Sequence, residues 1–335
     1  MENLQFDSVD SHLLSENKIL VTGGSGLFGG WIVEKLLQEN VNVTSFSHAH
    51  INNSKLDQIH DKSNLTIIEG DTRNKEVIDE LIIKQQFDFI IHLAAQTQVV
   101  DAYENPINTF SSNITGTWNL LDSVRIHSPK SKVVISTSDK AYGIPESIPT
   151  KEDHKLHGVF PYEFSKSSED LLAQTYATTY GLDIAILRCG NVFGGGDLNF
   201  SRLIPKIMRA FIHNETPTIT RSGGDYSRDF IYVEDVANAF IKTLLHFKDN
   251  DELKIFNISN PPNISIMDIY KLMSEAINDT YIEPKVLGMS RQNFEIPHQS
   301  LNIEKALKYL DWKPVWDQKK ALKKTYSWYF DYFNK

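Results

Sequence analysis

The 335-residue chain is 41% hydrophobic and 23% charged, enough apolar sequence for a large core in one domain or two. A net charge of −9 and a pI near 5.7 argue against a general nucleic-acid or membrane-surface binder. Cys189 is the only cysteine, which excludes a disulfide frame and a thiolate metal cluster and reads as a small buried hydrophobe. The polar stretch Met1 to Asn17 holds no apolar signal core, and no run approaches the ~20 apolar residues of a membrane span. The expectation is a reducing, cytoplasmic setting with no nucleic-acid or membrane partner.

Lys18 to Thr22 is a short apolar run that stops at Gly23-Gly24-Ser25-Gly26-Leu27-Phe28-Gly29, and a helical pattern follows through Trp31, Ile32, Leu36 and Leu37. This is strand, tight turn, helix. Glycines at 23, 26 and 29 permit positive φ and close backbone approach. The helix start, with Leu27 and Phe28, then offers free N–H groups to a pyrophosphate. Val41 to Ser47 reads as the second strand. It ends in Ser47-His48, with neither the acid that usually holds the adenosine ribose nor an arginine, so NAD and NADP both stay open here. Leu65 to Glu69 is a third strand, followed by Asp71, whose carboxylate could meet the adenine amino group. Phe87 to Leu93 is a fourth. It runs into Ala94-Ala95-Gln96, where small residues let a cofactor lie close.

A long helix is expected from Ile107 to Ile126, containing Asn113 and Gly116. A fifth strand runs from Lys132 to Thr137 and ends at Ser138-Asp139-Lys140. The next helix opens at Pro161 and runs to about Tyr180, and Ile184 to Leu187 makes a sixth strand. Within that helix Tyr162 and Lys166 are four apart and share a face. A nearby ammonium favours the phenolate, giving a base able to take a proton from an alcohol. Ser138 could hydrogen-bond the same alcohol, and Asp139 and Lys140 form a titratable cluster at a strand end. Strands alternating with helices in this rhythm mean an α/β fold with a doubly wound parallel sheet.

The alternation weakens after Arg188. Gly194 to Asp197 is a loop and Arg202 to Phe211 a helix. Asp229 to Val233 resembles a returning strand, with a helix over Glu234 to His246. A smaller irregular lobe ends in a helix from about Gln318. The division is a dinucleotide-binding unit over 1–190, with 225–260 returning to it, and a substrate lobe over 191–335. The histidines show no ligand-like spacing, so no metal is assigned.

From Ile19 to about Trp328 the chain resembles the extended short-chain dehydrogenase/reductases of the NAD-dependent epimerase/dehydratase family. The resemblance rests on Thr22 to Gly29, His92 to Gln96, Ser138-Asp139-Lys140, Tyr162 with Lys166, and Arg228 to Asp235. Gly190 to Asp197, Arg202 to Pro205 and Asp311 to Pro314 are most similar to CDP-glucose 4,6-dehydratases. The resemblance implies a Rossmann fold, NAD as cofactor (NADP not excluded) and a nucleoside-diphosphate hexose as substrate.

It implies further that Tyr162 takes the proton of the sugar 4-hydroxyl while hydride leaves C4, that Lys166 holds the cofactor ribose, and that Ser138 bonds the 4-oxygen. In a 4,6-dehydratase Asp139 then protonates the departing 6-hydroxyl, with Lys140 as a candidate base. Gly23, Gly26, Leu27, Phe28, Gly29, Ser47, Asp71, Leu93, Ala94 and Ala95 would line the cofactor. Gln96, Asn191, Arg202, Leu203, Arg228 and Arg291 would meet the substrate, the arginines as forks for its diphosphate. The alternative is a 4-epimerase, which needs Tyr162 and the cofactor but no acid for C6. Ser138 in place of the usual Thr, and Tyr142-Gly143 after the cluster, match that alternative. A non-catalytic NAD-binding regulator is a third reading, opposed by the intact Ser138, Tyr162 and Lys166. The helices from Ile107 and Tyr162 are apolar on more than one face, through Phe110, Ile114, Trp118, Leu171, Leu172 and Tyr176, and a homodimer is expected from them.

Overall fold

The computed structural model describes residues 14–220, 226–247, 254–288 and 296–334. Its centre is one parallel sheet built from β1 (Lys18–Thr22), β2 (Asn42–Ser47), β3 (Leu65–Glu69), β4 (Phe89–His92), β5 (Lys132–Ser138) and β6 (Ile184–Cys189). The spatial order is β3-β2-β1-β4-β5-β6, with Lys254–Ile258 as a seventh strand at the far edge. This is the doubly wound Rossmann arrangement.

Successive side chains of a strand point to opposite faces, so each strand serves two apolar layers. Ile19 and Val21 enter one layer with Val134, Leu187 and Phe256. Leu20 enters the other with Ile90, Val133 and Ile186. Helices Leu27–Gln38 and Val233–His246 close the first layer, and Lys75–Gln85, Gly116–His127 and Pro161–Tyr180 close the second. Burial on both faces is why inner strands such as β4 and β6 read as continuous apolar runs, while the edge strand β3 stays partly exposed.

Two elements differ from the sequence expectation. The helix expected from Ile107 begins at Pro106, widens into a π-helical segment at Ser111–Thr115, and continues as Gly116–His127. The widening sits where the Asn113 side chain turns inward. Its Oδ1 accepts from Gln96 N at 2.7 Å, and its Nδ2 donates to Gln96 O at 3.0 Å and Ser165 Oγ at 2.9 Å. Such insertions are frequent beside functional sites.

The second difference concerns the returning strand. Phe230–Tyr232 pairs in parallel with Asn191–Phe193 in a separate two-stranded sheet, and it is Lys254–Ile258 that joins β6. That strand is buried throughout, and its one polar interior residue, Asn257, is satisfied: Nδ2 donates to Thr150 O at 2.9 Å and Asn302 O at 3.1 Å.

Candidate active site

The strand order reverses between β1 and β4, which opens a crevice beyond the carboxyl ends of the strands. A cleft of about 930 Å³ lies there. Gly23 has φ +72°, and a Cβ on it would stand 2.9 Å from Ala94 N, so a side chain would collide with the loop after β4. A Cβ on Gly29 would lie 2.3 Å from Gly23 O. Gly26, expected to share the positive φ, instead has φ −76° and caps the Leu27–Gln38 helix without a side-chain bond. The glycines thus play different parts: left-handed turn at 23, bare helix cap at 26, close packing at 29. The first-turn N–H groups of Leu27, Phe28 and Gly29 consequently face the cleft uncapped, a cradle suited to a pyrophosphate.

Ser47, Asp71, Leu93, Ala94 and Ala95 line the same cleft. The Ser47 hydroxyl accepts from Ser25 N at 3.2 Å, tying β2 to the glycine loop. Asp71 is held by an arginine that the sequence reading passed over. Arg73 Nε donates to Asp71 Oδ2 at 2.8 Å and to Oδ1 at 3.0 Å. Those bonds keep the Asp71 carboxyl below the usual carboxylate range.

At the centre of the cleft the Ser138-Asp139-Lys140 turn faces Tyr162 and Lys166. Asp139 is buried, and its Oδ1 accepts from Ser138 Oγ at 2.9 Å. Ser138 Oγ in turn accepts from Lys140 N at 3.2 Å, capping the short turn, while Lys140 Nζ donates to Gln299 Oε1 at 3.0 Å. Tyr162 and Lys166 are buried as well. Burial pushes the Tyr162 phenol up and the Lys166 charge pulls it down, with burial the larger effect. The lysine therefore acts as expected without bringing the phenol below its ordinary value.

Of the expected substrate residues, Gln96, Asn191, Arg202, Leu203 and Arg228 all line the cleft, whereas Arg291 lies outside the described residues. Arg202 pairs with Asp197 Oδ2 at 3.0 Å and donates to Thr97 Oγ1 at 2.7 Å. Arg228 donates to Ser227 O at 2.9 Å and Pro297 O at 2.8 Å. Asn191 Nδ2 is buried with no hydrogen-bond partner among the described residues.

Sequence reasoning missed several buried polar residues around the centre, among them Glu163, Glu169 and Gln299. Glu163, next to Tyr162, lines the cleft, and burial pushes its carboxyl up against the pull of Lys140. Glu163 and Glu169, at first-turn and mid-helix positions, look like solvated helix charges in sequence. Nothing local signals their burial.

A family model described as the NAD dependent epimerase/dehydratase family matches residues 19–259. The chain belongs to that family. It is 31% identical to a Methanocaldococcus jannaschii protein with a provisional UDP-glucose 4-epimerase name, over 92% of this chain and 97% of that one. Among solved structures, a UDP-N-acetylglucosamine 4-epimerase from Methanobrevibacter ruminantium matches with TM-score 0.84 at 27% identity, covering 95% of this chain and 99% of that one. A dTDP-glucose 4,6-dehydratase from Bacillus anthracis, solved in complex with NAD, matches with TM-score 0.82 at 25% identity, over 94% and 97%.

As a member of the epimerase/dehydratase family the protein is an enzyme and its cofactor is NAD. The glycine cradle fits that group, since the uncapped helix start at Leu27, Phe28 and Gly29 lines the cleft and offers N–H groups to a pyrophosphate. No helix among the described residues is long and apolar enough to cross a membrane.

Proposed function

We propose that the enzyme is a nucleotide-sugar 4-epimerase, inverting C4 of a nucleoside-diphosphate hexose through a transient 4-ketone. The observation that carries this reading is the convergence of Ser138, Tyr162 and Lys166 on one cleft beside an uncapped glycine-loop helix. We assign residues 1–190, with 225–260, to holding the cofactor, and 191–335 to holding the sugar nucleotide. NAD, when bound, supplies the acceptor and then the donor of the C4 hydride. Tyr162 Oη takes the 4-hydroxyl proton, and the Lys166 ammonium stabilises the phenolate that does so. Ser138 Oγ bonds the sugar 4-oxygen and holds it against Tyr162. The guanidinium forks of Arg202 and Arg228 and the Asn191 amide serve the diphosphate end. Tyr162 then returns the proton to the 4-oxygen after the ketone has presented its other face.

Two observations favour epimerisation over dehydration. The relative at 31% identity bears a 4-epimerase name. In the site, the candidate base for elimination is engaged, Lys140 Nζ donating to Gln299 Oε1. The 4,6-dehydratase reading keeps one specific support, the burial of Asp139 directly beside Ser138, where a carboxyl could deliver a proton. The test is to incubate the purified enzyme with a panel of UDP-, dTDP- and CDP-hexoses. Unchanged mass with an inverted C4 signal by NMR is expected. Loss of one water overturns the epimerase, and no change with any substrate overturns both.

A further inference from the structure

Lys166 is buried, and an ammonium ion removed from water needs a compensating charge. Glu169, one turn along the same helix, supplies it. Its Oε2 lies 2.7 Å from Lys166 Nζ, with side-chain exposures of 5% for the lysine and 1% for the glutamate. The contact is a close ion pair rather than a well-directed hydrogen bond, because Oε2 accepts none of good geometry.

The other oxygen of Glu169 ends a buried chain whose donor order can be read from one end. Thr22 Oγ1 accepts from Leu93 N at 3.2 Å and Ala94 N at 3.3 Å, which leaves its own proton for His92 Nδ1 at 2.8 Å. His92 then carries its proton on Nε2 and gives it to Thr117 Oγ1 at 3.0 Å, and Thr117 donates to Glu169 Oε1 at 3.2 Å. Every link points toward the carboxylate. Burial, then the Lys166 charge, pushes the His92 pKa down to about 3, so the ring is neutral and adds no competing cation.

We propose that Glu169 is a positioning residue for the C4 chemistry: it holds the Lys166 side chain beside Tyr162 as an ammonium ion. The proposal rests on Tyr162 being the proton acceptor. The groups facing Lys166 are Tyr162, Glu169 and, one residue on, Asp170 from its own helix, Cys189 from β6 and His92 from β4; Asp139 faces Tyr162 from the turn after β5. Burial alone depresses the ammonium. The Glu169 carboxylate, and the Tyr162 hydroxyl once it is ionised, more than offset it, leaving the Lys166 pKa above the ordinary lysine value. Without Glu169 the largest remaining influence is burial, and the lysine loses its proton in the alkaline range.

The experiment uses the full chain labelled with [13Cε]lysine and free of cofactor, the Lys166 resonance being assigned by its loss in Lys166→Arg. Wild-type Lys166 is expected to titrate above the ordinary lysine value. Glu169→Gln is expected to lower the midpoint by roughly one pH unit or more. The same variant in turnover gains an alkaline limb in kcat that the wild type lacks. Should Glu169→Gln fail to fold, Glu169→Asp, which keeps the charge but draws it one methylene back from Lys166 Nζ, shifts the midpoint the same way by less. Equal midpoints in wild type and variants overturn the proposal. Because the midpoint is read without substrate or cofactor, an epimerase reading that fails on the sugar panel leaves this measurement decisive by itself.

Discussion

Arg188 Nε donates to Asp170 Oδ2 and Arg188 Nη2 to Asp170 Oδ1, both at 2.8 Å, in a site where neither side chain is more than 2% exposed. Asp170 Oδ2 also accepts from Thr137 Oγ1 at 3.0 Å, and Arg188 Nη1 donates to Tyr142 Oη at 2.8 Å and Glu152 O at 2.9 Å. The pair thus bolts the helix bearing Tyr162 and Lys166 to β5, β6 and the turn after Ser138. Arg188→Leu leaves the Asp170 carboxylate buried without its cation. Loss of about 3–5 kcal/mol is expected, read by denaturant unfolding, with activity falling alongside because the site loses its alignment.

Tyr162→Phe removes the proton acceptor and leaves the ring. The fold and NAD binding should persist, since no hydrogen bond from the Tyr162 hydroxyl braces a neighbouring element among the described residues. Nicotinamide absorbance on adding sugar nucleotide to stoichiometric enzyme is the measurement. No reduction is expected within the wild-type turnover time, and wild-type kinetics would remove Tyr162 from the chemistry.

Asp139→Asn distinguishes the two reactions of the family. An epimerase retains C4 oxidation, and its product keeps the parent mass. A dehydratase deprived of its general acid should slow by ~10²–10⁴-fold at elimination, accumulating 4-keto hexose that still bears its 6-hydroxyl. Product masses and the rate of water loss decide between them, and the epimerase outcome is the one expected.

Ile107 is 77% exposed, Trp118 54% and Leu171 52%, on the two helices from which a homodimer was expected. Tyr176, expected on the same surface, is buried in the monomer instead. The Trp118→Glu, Leu171→Glu double variant should sediment at monomer mass while the wild type sediments as a dimer at micromolar concentration. A monomeric wild type would remove the proposed interface.

Asp229 provides a pH prediction. Burial pushes its carboxyl up to about 6, from 3.8 in the absence of the fold, and its Oδ1 has no partner among the described residues. The folded state therefore holds a proton that the unfolded state has released between those values. The stability this group contributes is fully present below about pH 3.8 and is lost as the pH rises through about 6. Asp229→Asn should then stabilise the protein at pH near 8 by at most about 3 kcal/mol and leave it nearly unchanged at acid pH. Equal effects at both ends of the range would refute the assignment.

Six of the seven strands, the glycine loop and the Tyr162–Lys166 helix were legible in the sequence, whereas the seventh strand, Lys254–Ile258, was not. Each legible element is written locally: apolar strands stop at glycine, and four-residue spacing places two side chains on one helical face. Its family resemblance reached NAD and the nucleotide-sugar enzymes, and ranked dehydration ahead of the epimerisation that the comparisons favour. How the site is held became visible in the fold alone. Glu169 and Asp170 are neighbours in sequence and look like two solvated helix charges. One pairs with Lys166 and the other with Arg188, eighteen positions away. Asn113 sits in the widened turn of its helix, bonded to Gln96 and Ser165, and Arg73 claims Asp71 in the cleft lining. In these buried polar groups, desolvation and partner choice are set by distant chain segments converging in space, which no local pattern of residues encodes.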